Sequence, residues 1–100
     1  MSAAAGKPRV QIDYCAKCRF LPRAAWLAQE LLSTFEGEIG EVALIPNEEG
    51  GVFEVRAAGR VLWNRKRDGG FPEAAELKRR LRDAVAPGTD LGHIDAKEET

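Results

Sequence analysis

Two cysteines three residues apart stand between a strand-like run and a helix-like run, in Tyr14-Cys15-Ala16-Lys17-Cys18-Arg19. They are the chain's two cysteines. The run before them, Val10-Gln11-Ile12-Asp13-Tyr14, alternates apolar and polar residues, the period of a half-buried strand. The run after them, Leu21 to Phe35, carries apolar residues at helical steps. A C-x-x-C at such a junction lets two thiols exchange with a disulfide, and the spacing lets the sulfurs bond to each other. The helix start beyond them offers free N–H groups and a dipole that favour a thiolate. Lys17 and Arg19 add positive charge beside the sulfurs.

The rest of the composition narrows the class. One hundred residues make one domain, and 44% apolar with 31% charged residues supports a modest single core. A net charge of −1 gives no global field that selects nucleic acid or an anionic membrane. No run of about 18 apolar residues occurs, so no membrane span is expected. The start, Met-Ser-Ala-Ala-Ala-Gly-Lys-Pro, lacks an apolar stretch and reads as a disordered leader over residues 1–8 rather than a secretory signal. A cysteine pair without an export signal suits a reducing cytoplasm, where it points to redox or metal chemistry more than to a structural staple.

The pass along the chain gives six elements. Arg9 to Tyr14 is a strand. From Leu21, the stripe Leu21, Ala24, Ala25, Ala28, Leu31, Leu32 and Phe35 predicts a helix that Gly37 and Gly40 end, with Pro22 in the first turn, where its missing N–H costs nothing. Glu41 to Ile45 is a second strand stopped by Pro46, and residues 47–51 form a turn with two glycines. Val52 to Ala57 and Arg60 to Arg65 are strands joined as a hairpin by Ala58-Gly59, with Val61 and Trp63 alternating against Leu62 and Asn64. Asp68-Gly69-Gly70 reads as a loop. Pro72 to Val85 is the last helix, with Pro72 near its first position and a buried stripe of Ala74, Leu77, Leu81, Ala84 and Val85. Residues 87–100 read as a polar tail. The order strand, helix, strand, strand, strand, helix predicts an α/β fold. It is the minimal thioredoxin-like core: a mixed four-stranded sheet in the spatial order second, first, third, fourth, with two helices.

Four segments then resemble one family in their order along the chain. Val10-Gln11-Ile12-Asp13-Tyr14-Cys15-Ala16-Lys17-Cys18 is similar to the start of the selenoprotein W, T and H (Rdx) group. Gly51-Val52-Phe53-Glu54-Val55 resembles its G-x-F-E-V strand, Gly59-Arg60-Val61-Leu62-Trp63-Asn64-Arg65-Lys66 its next strand, and Gly69-Gly70-Phe71-Pro72 its entry to the last helix. Together they cover residues 9–86 as one domain. Eukaryotic members often carry selenocysteine where this chain has Cys18, so it resembles a cysteine-containing, bacterial-type member. The resemblance implies a thioredoxin-like fold and a thiol–disulfide oxidoreductase. It implies no bound cofactor, glutathione as candidate reductant or co-substrate, and thiol or disulfide proteins as partners. By the family pattern Cys15 is the exposed nucleophile and Cys18 resolves the mixed disulfide. The residues themselves leave either order open.

Each candidate has a plainer reading beside it. Cys15 and Cys18 could be two small half-buried apolar residues, but they stand where exchange needs them. Lys17 and Arg19 are thiolate-tuning candidates or else solvated charges. Zinc wants four ligands, and the one histidine, His93, lies in the polar tail, so no metal site is expected. Arg65-Lys66-Arg67 with Lys78 to Arg82 reads as dipole-matched surface rather than a nucleic-acid patch. Trp26 falls about 170° from the helical stripe at about 100° per residue, and is an interaction-surface candidate, with a second copy of the chain among its partners. The alternative to a catalyst is a redox-regulated protein-binding module without turnover.

Overall fold

In a computed structural model, residues 6–92 are described. Most of the expected leader (residues 1–5) and the end of the tail with His93 (residues 93–100) lie outside the described residues. Four strands form one mixed sheet: β1 (Arg9–Cys15), β2 (Glu41–Asn47), β3 (Phe53–Ala57) and β4 (Arg60–Asn64), in the order β2-β1-β3-β4. β1 pairs parallel with β2 (Ile12 opposite Leu44) and antiparallel with β3 (Ile12 opposite Val55). The sheet order matches the expected one. The helix α1 (Leu21–Thr34) makes the crossover between the parallel strands. A parallel pair cannot be joined by a tight turn, which is why an element of this length lies between them.

Val10, Ile12, Tyr14, Phe53 and Val55 are buried, while Gln11, Asp13, Glu54 and Arg56, which alternate with them, stay partly or fully exposed. One sheet face is therefore packed and the other wet. The packed face is covered by α1 over β1 and β2, and by a C-terminal helix, Ala74–Val85, over β3 and β4; the two helices touch. Burying about ten large side chains such as Phe35, Leu31, Leu77 and Leu81 at roughly 1.5–3 kcal/mol each is the main term that offsets chain entropy.

Five local expectations are corrected. First, the buried row of α1 is Ala24, Leu27, Ala28 and Leu31, continued by Phe35; Leu21, Ala25 and Leu32 are exposed. Their positions are rotated about 100° from the row that meets the sheet, one residue's turn. The helix ends at Thr34, with the Phe35 N–H donating to the Leu31 carbonyl and Gly37 taking a φ of 85° in the following turn. Second, Pro46 does not stop β2, which runs on to Asn47 with Pro46 opposite Tyr14. β2 is an edge strand, where a residue without an N–H is tolerated. Third, Leu62 and Trp63 are both buried and Val61 is exposed. A register shift between Val55 and Arg56 pairs Val55 with Trp63 and Arg56 with Val61, so Leu62 is the extra residue of a bulge and alternation breaks there.

Fourth, β4 ends at Asn64, and a short helix, α2 (Arg65–Asp68), follows it. The Asn64 side chain accepts from the N–H groups of Lys66 and Arg67, and Asp68 accepts from the Asn64 N–H. Gly69 then takes a left-handed φ of 84°, open to glycine at no steric cost. The backbone N–H of Asn64, with Arg67 and Arg80, holds the Asp68 carboxyl below the usual range. Fifth, Pro72 lies before the last helix, α3 (Ala74–Val85), whose capping position is Glu73. In α3, burial pulls the Glu76 carboxyl up, but the Arg80 and Arg79 hydrogen bonds outweigh it and leave it below the usual range.

Trp26 is 50% exposed on the outer side of α1. Trp26→Ala should therefore lower unfolding free energy by less than about 1 kcal/mol, against about 3–5 kcal/mol for a core tryptophan. Urea denaturation of the two proteins checks this; a loss in the core range would place the indole in the packing.

Candidate functional site

The candidate site is the corner where β1 ends. The Cys15 N–H donates to the Val52 carbonyl at 2.8 Å, and the Ala16 N–H to the Asn47 carbonyl at 3.2 Å, so the end of β2 and the residue before β3 fix the exit from β1. The chain then turns tightly: the Arg19 N–H reaches the Ala16 carbonyl at 3.1 Å, and Arg19 itself sits at a φ of 61°. That left-handed backbone is uncommon for a residue with a side chain. The turn brings Cys18 back onto Cys15, and the two form a disulfide with their Cα atoms 5.3 Å apart, within the span of about 4.4–6.8 Å such a bond needs.

The two sulfurs differ in environment. Cys15 is 0% exposed, whereas Cys18 is partly exposed. The expectation that Cys15 is the exposed residue is thus corrected. Cys15 is the last residue of a central strand and lies against the core, and the turn carries Cys18 outward. The donors at the sulfurs also differ from expectation. The Cys18 N–H reaches Cys15 Sγ at 3.2 Å, and the Gly51 N–H reaches Cys18 Sγ at 3.3 Å. α1 begins three residues after Cys18, and Pro22 in its first turn has no N–H to give. The external N–H at Cys18 therefore comes from the turn between β2 and β3. Gly51 holds a φ of 79°, and a Cβ there would stand 3.4 Å from Arg65 Nη1.

Arg65 completes the corner. Its Nη1 donates to the Gly51 carbonyl at 3.3 Å, and its guanidinium carbon lies 5.5 Å from the ring centres of Phe20 and Phe71. Phe20 and Phe71 meet edge to face at 4.8 Å, and Phe71 meets Phe53 in the same way at 5.2 Å. Arg23 covers Phe71 at 4.2 Å. This aromatic cluster pins the segment after Cys18 to the sheet. Lys17 and Arg19 flank Cys18 and are exposed. Trp26 lies further along α1, outside this cluster. Arg65, Phe20 and Phe71 went unread as site residues because each needs a fold contact to reach the cysteines. Gly51, read as a turn residue, had the one usable signal: a glycine pair just before the strand that pairs with β1.

Among the described residues, no three or more His, Cys, Asp or Glu gather where they could hold a metal ion. No helix of the described residues is long and apolar enough to cross a membrane.

With this geometry in hand, the chain can be set beside known proteins. Residues 9–83 match the sequence model of the Rdx family. A crystal structure of a protein from Bordetella parapertussis is 58% identical, with a TM-score of 0.74, covering 77% of this chain and 96% of that one. The crystal structure of a selenoprotein W-related protein from Vibrio cholerae is 50% identical, with a TM-score of 0.77, covering 80% of this chain and 99% of that one. Comparison with curated proteins returned no match. The thioredoxin-like sheet, the C-x-x-C disulfide at the end of β1 and the match over residues 9–83 agree: the chain belongs to the Rdx family, the selenoprotein W-related group.

Proposed function

We propose that the chain is a thiol–disulfide oxidoreductase of the selenoprotein W type, in which Cys18 meets the partner and Cys15 completes the exchange. The observation that carries this reading is the bonded pair with unequal access: a partly exposed Cys18 beside the Gly51 N–H, and a buried Cys15 behind it. In the reduced chain the Cys18 thiolate attacks a partner disulfide, and one partner sulfur leaves as thiolate. The mixed disulfide then holds Cys18 to the other partner sulfur. Attack by the Cys15 thiolate on Cys18 Sγ forms the Cys15–Cys18 bond and releases that second sulfur. Two electrons pass to the partner. Two thiols, with glutathione as the candidate, reverse the oxidation and themselves become a disulfide. Lys17 and Arg19 are proposed to favour the thiolate at Cys18 as nearby cations. Thiol and disulfide proteins are the proposed partners, and the cytoplasm, where such reductants are kept, is the proposed compartment.

A second reading is a redox-regulated binding module. The turn between Cys15 and Cys18 leads directly into α1, which carries the exposed Trp26, so breaking the disulfide would free the entry to that helix. Turnover separates the two. With glutathione, glutathione reductase and NADPH present, an oxidoreductase should reduce many equivalents of a glutathione mixed disulfide per chain. Oxidation that stops at one equivalent, with no recycling, would sink the catalytic reading and leave the switch.

A further inference from the structure

We infer that the face around Cys18 selects disulfides flanked by carboxylates, an acidic peptide segment being the partner it fits, with Arg23 and Arg65 the selecting residues. This rests on the exchange reading above and adds a substrate class to it.

The charges of the described residues carry the inference. Away from the site, most cations are matched by acids: Arg9 with Glu41, Arg56 with Glu54, Arg67 with Asp68, Lys78 with Glu30, and Arg80 with Glu76 and Asp68, while Lys7 and Arg60 stand singly among the described residues. Around Cys18 that pattern stops. Lys17, Arg19, Arg23, Arg65 and Lys66 make no ion pair among the described residues. Glu48 and Glu49 are exposed on the loop after β2, and Glu49 lines a small cavity with Gly51, Arg65 and Lys66, so two acids stand against these five cations. The corner is therefore positive on a chain whose net charge is −1.

Two of these cations are held ready. Arg23 lies on the Phe71 ring and Arg65 beside the paired Phe20 and Phe71 rings, so neither needs an acid to fix it. Arg65 is linked to the sulfur through one residue: its Nη1 meets the Gly51 carbonyl, and the Gly51 N–H meets Cys18 Sγ. The Gly51 carbonyl takes a single donor from a guanidinium that has five. Arg65 Nε is buried with no partner. A guanidinium with spare donors suits a carboxylate, and a fixed one loses less freedom on binding. Charge of one sign around a reactive centre raises the encounter rate of the opposite sign, by tenfold or more at low salt, and salt screens the effect.

The test oxidises the reduced full chain with three peptides, each holding one intramolecular disulfide and differing only in flanks: Glu, Gln or Lys. Rapid acid quenching and mass spectrometry give second-order rates. At low salt the Glu peptide should react about tenfold faster than the Lys peptide, with the Gln peptide between, and the spread should close at about 0.5 M salt. Arg23→Met and Arg65→Met should shrink the spread, Arg65→Lys should restore part of it, and Arg60→Met, at the far hairpin, should leave it unchanged. Arg23 is exposed, so its variant keeps the test open if Arg65→Met fails to fold. Glutathione disulfide is run beside the peptides. If it matches the Glu peptide the carboxylates alone are read, and if it lags the peptide chain is read with them. Equal rates for the three peptides, or a faster Lys peptide, overturn the inference while leaving the exchange reading intact. No oxidation by any of them overturns the exchange reading itself.

Discussion

In iodoacetamide alkylation, Cys15→Ser, which keeps Cys18, reacts at least about tenfold faster than Cys18→Ser, which keeps Cys15, as access and thiolate character dictate. Cys18 is partly exposed and sits beside the Gly51 N–H, while Cys15 is 0% exposed. The same pair separates in catalysis. Cys15→Ser should stop at a mixed disulfide through Cys18, visible as a stable mass adduct with glutathione, because no second thiol resolves it. Cys18→Ser should form little adduct. Both variants should lose at least about a hundredfold in turnover, since residues acting as one unit fail together. A faster, adduct-forming Cys15 would reverse the two roles and restore the order that the family pattern implies.

Phe53→Ala is expected to lower unfolding free energy by about 3–5 kcal/mol, the usual cost of emptying a core aromatic site. Phe53 is 1% exposed, stands opposite Tyr14 at the end of the two central strands, and packs its ring against Phe20 and Phe71. A single domain has about 5–15 kcal/mol in hand, so this change takes a large share. Urea denaturation measures it, and a loss below about 1 kcal/mol would contradict the packing. The cavity also lies under the site, because the neighbouring Val52 carbonyl receives the Cys15 N–H.

The places where the sequence reading held or slipped follow from which forces act locally. Alternation in Val10-Gln11-Ile12-Asp13-Tyr14 was legible because β1 is central, with one face packed and the other wet. It failed in β4, where the bulge opposite Val55 and Arg56 buries both Leu62 and Trp63. A bulge depends on pairing with a second strand, and no period within one strand announces it. Pro46 looked like a stop because a proline lacks a donor. The missing donor is harmless on an edge, and β2 becomes an edge through the strand order alone. The short helix α2 did have local signals, Asn64 as cap and Gly69 as left-handed end. They were lost beneath the strand pattern that precedes them.

By itself the sequence determined the order of the four strands and the two long helices, the four-stranded mixed sheet, the thioredoxin-like class and the placing of two cysteines at the end of the first strand. Each depends on periodicity, turn chemistry or spacing within a few residues. The tertiary structure alone decided which cysteine faces out and what surrounds it. Cys18 is adjacent to Gly51, thirty-three positions away, and Gly51 to Arg65, fourteen further on. Those contacts arise where β1 pairs with β3 and where Arg65, at the start of α2, follows β4. Non-local burial and hydrogen bonding set them, and a linear pattern carries no record of which distant backbone N–H a sulfur will meet.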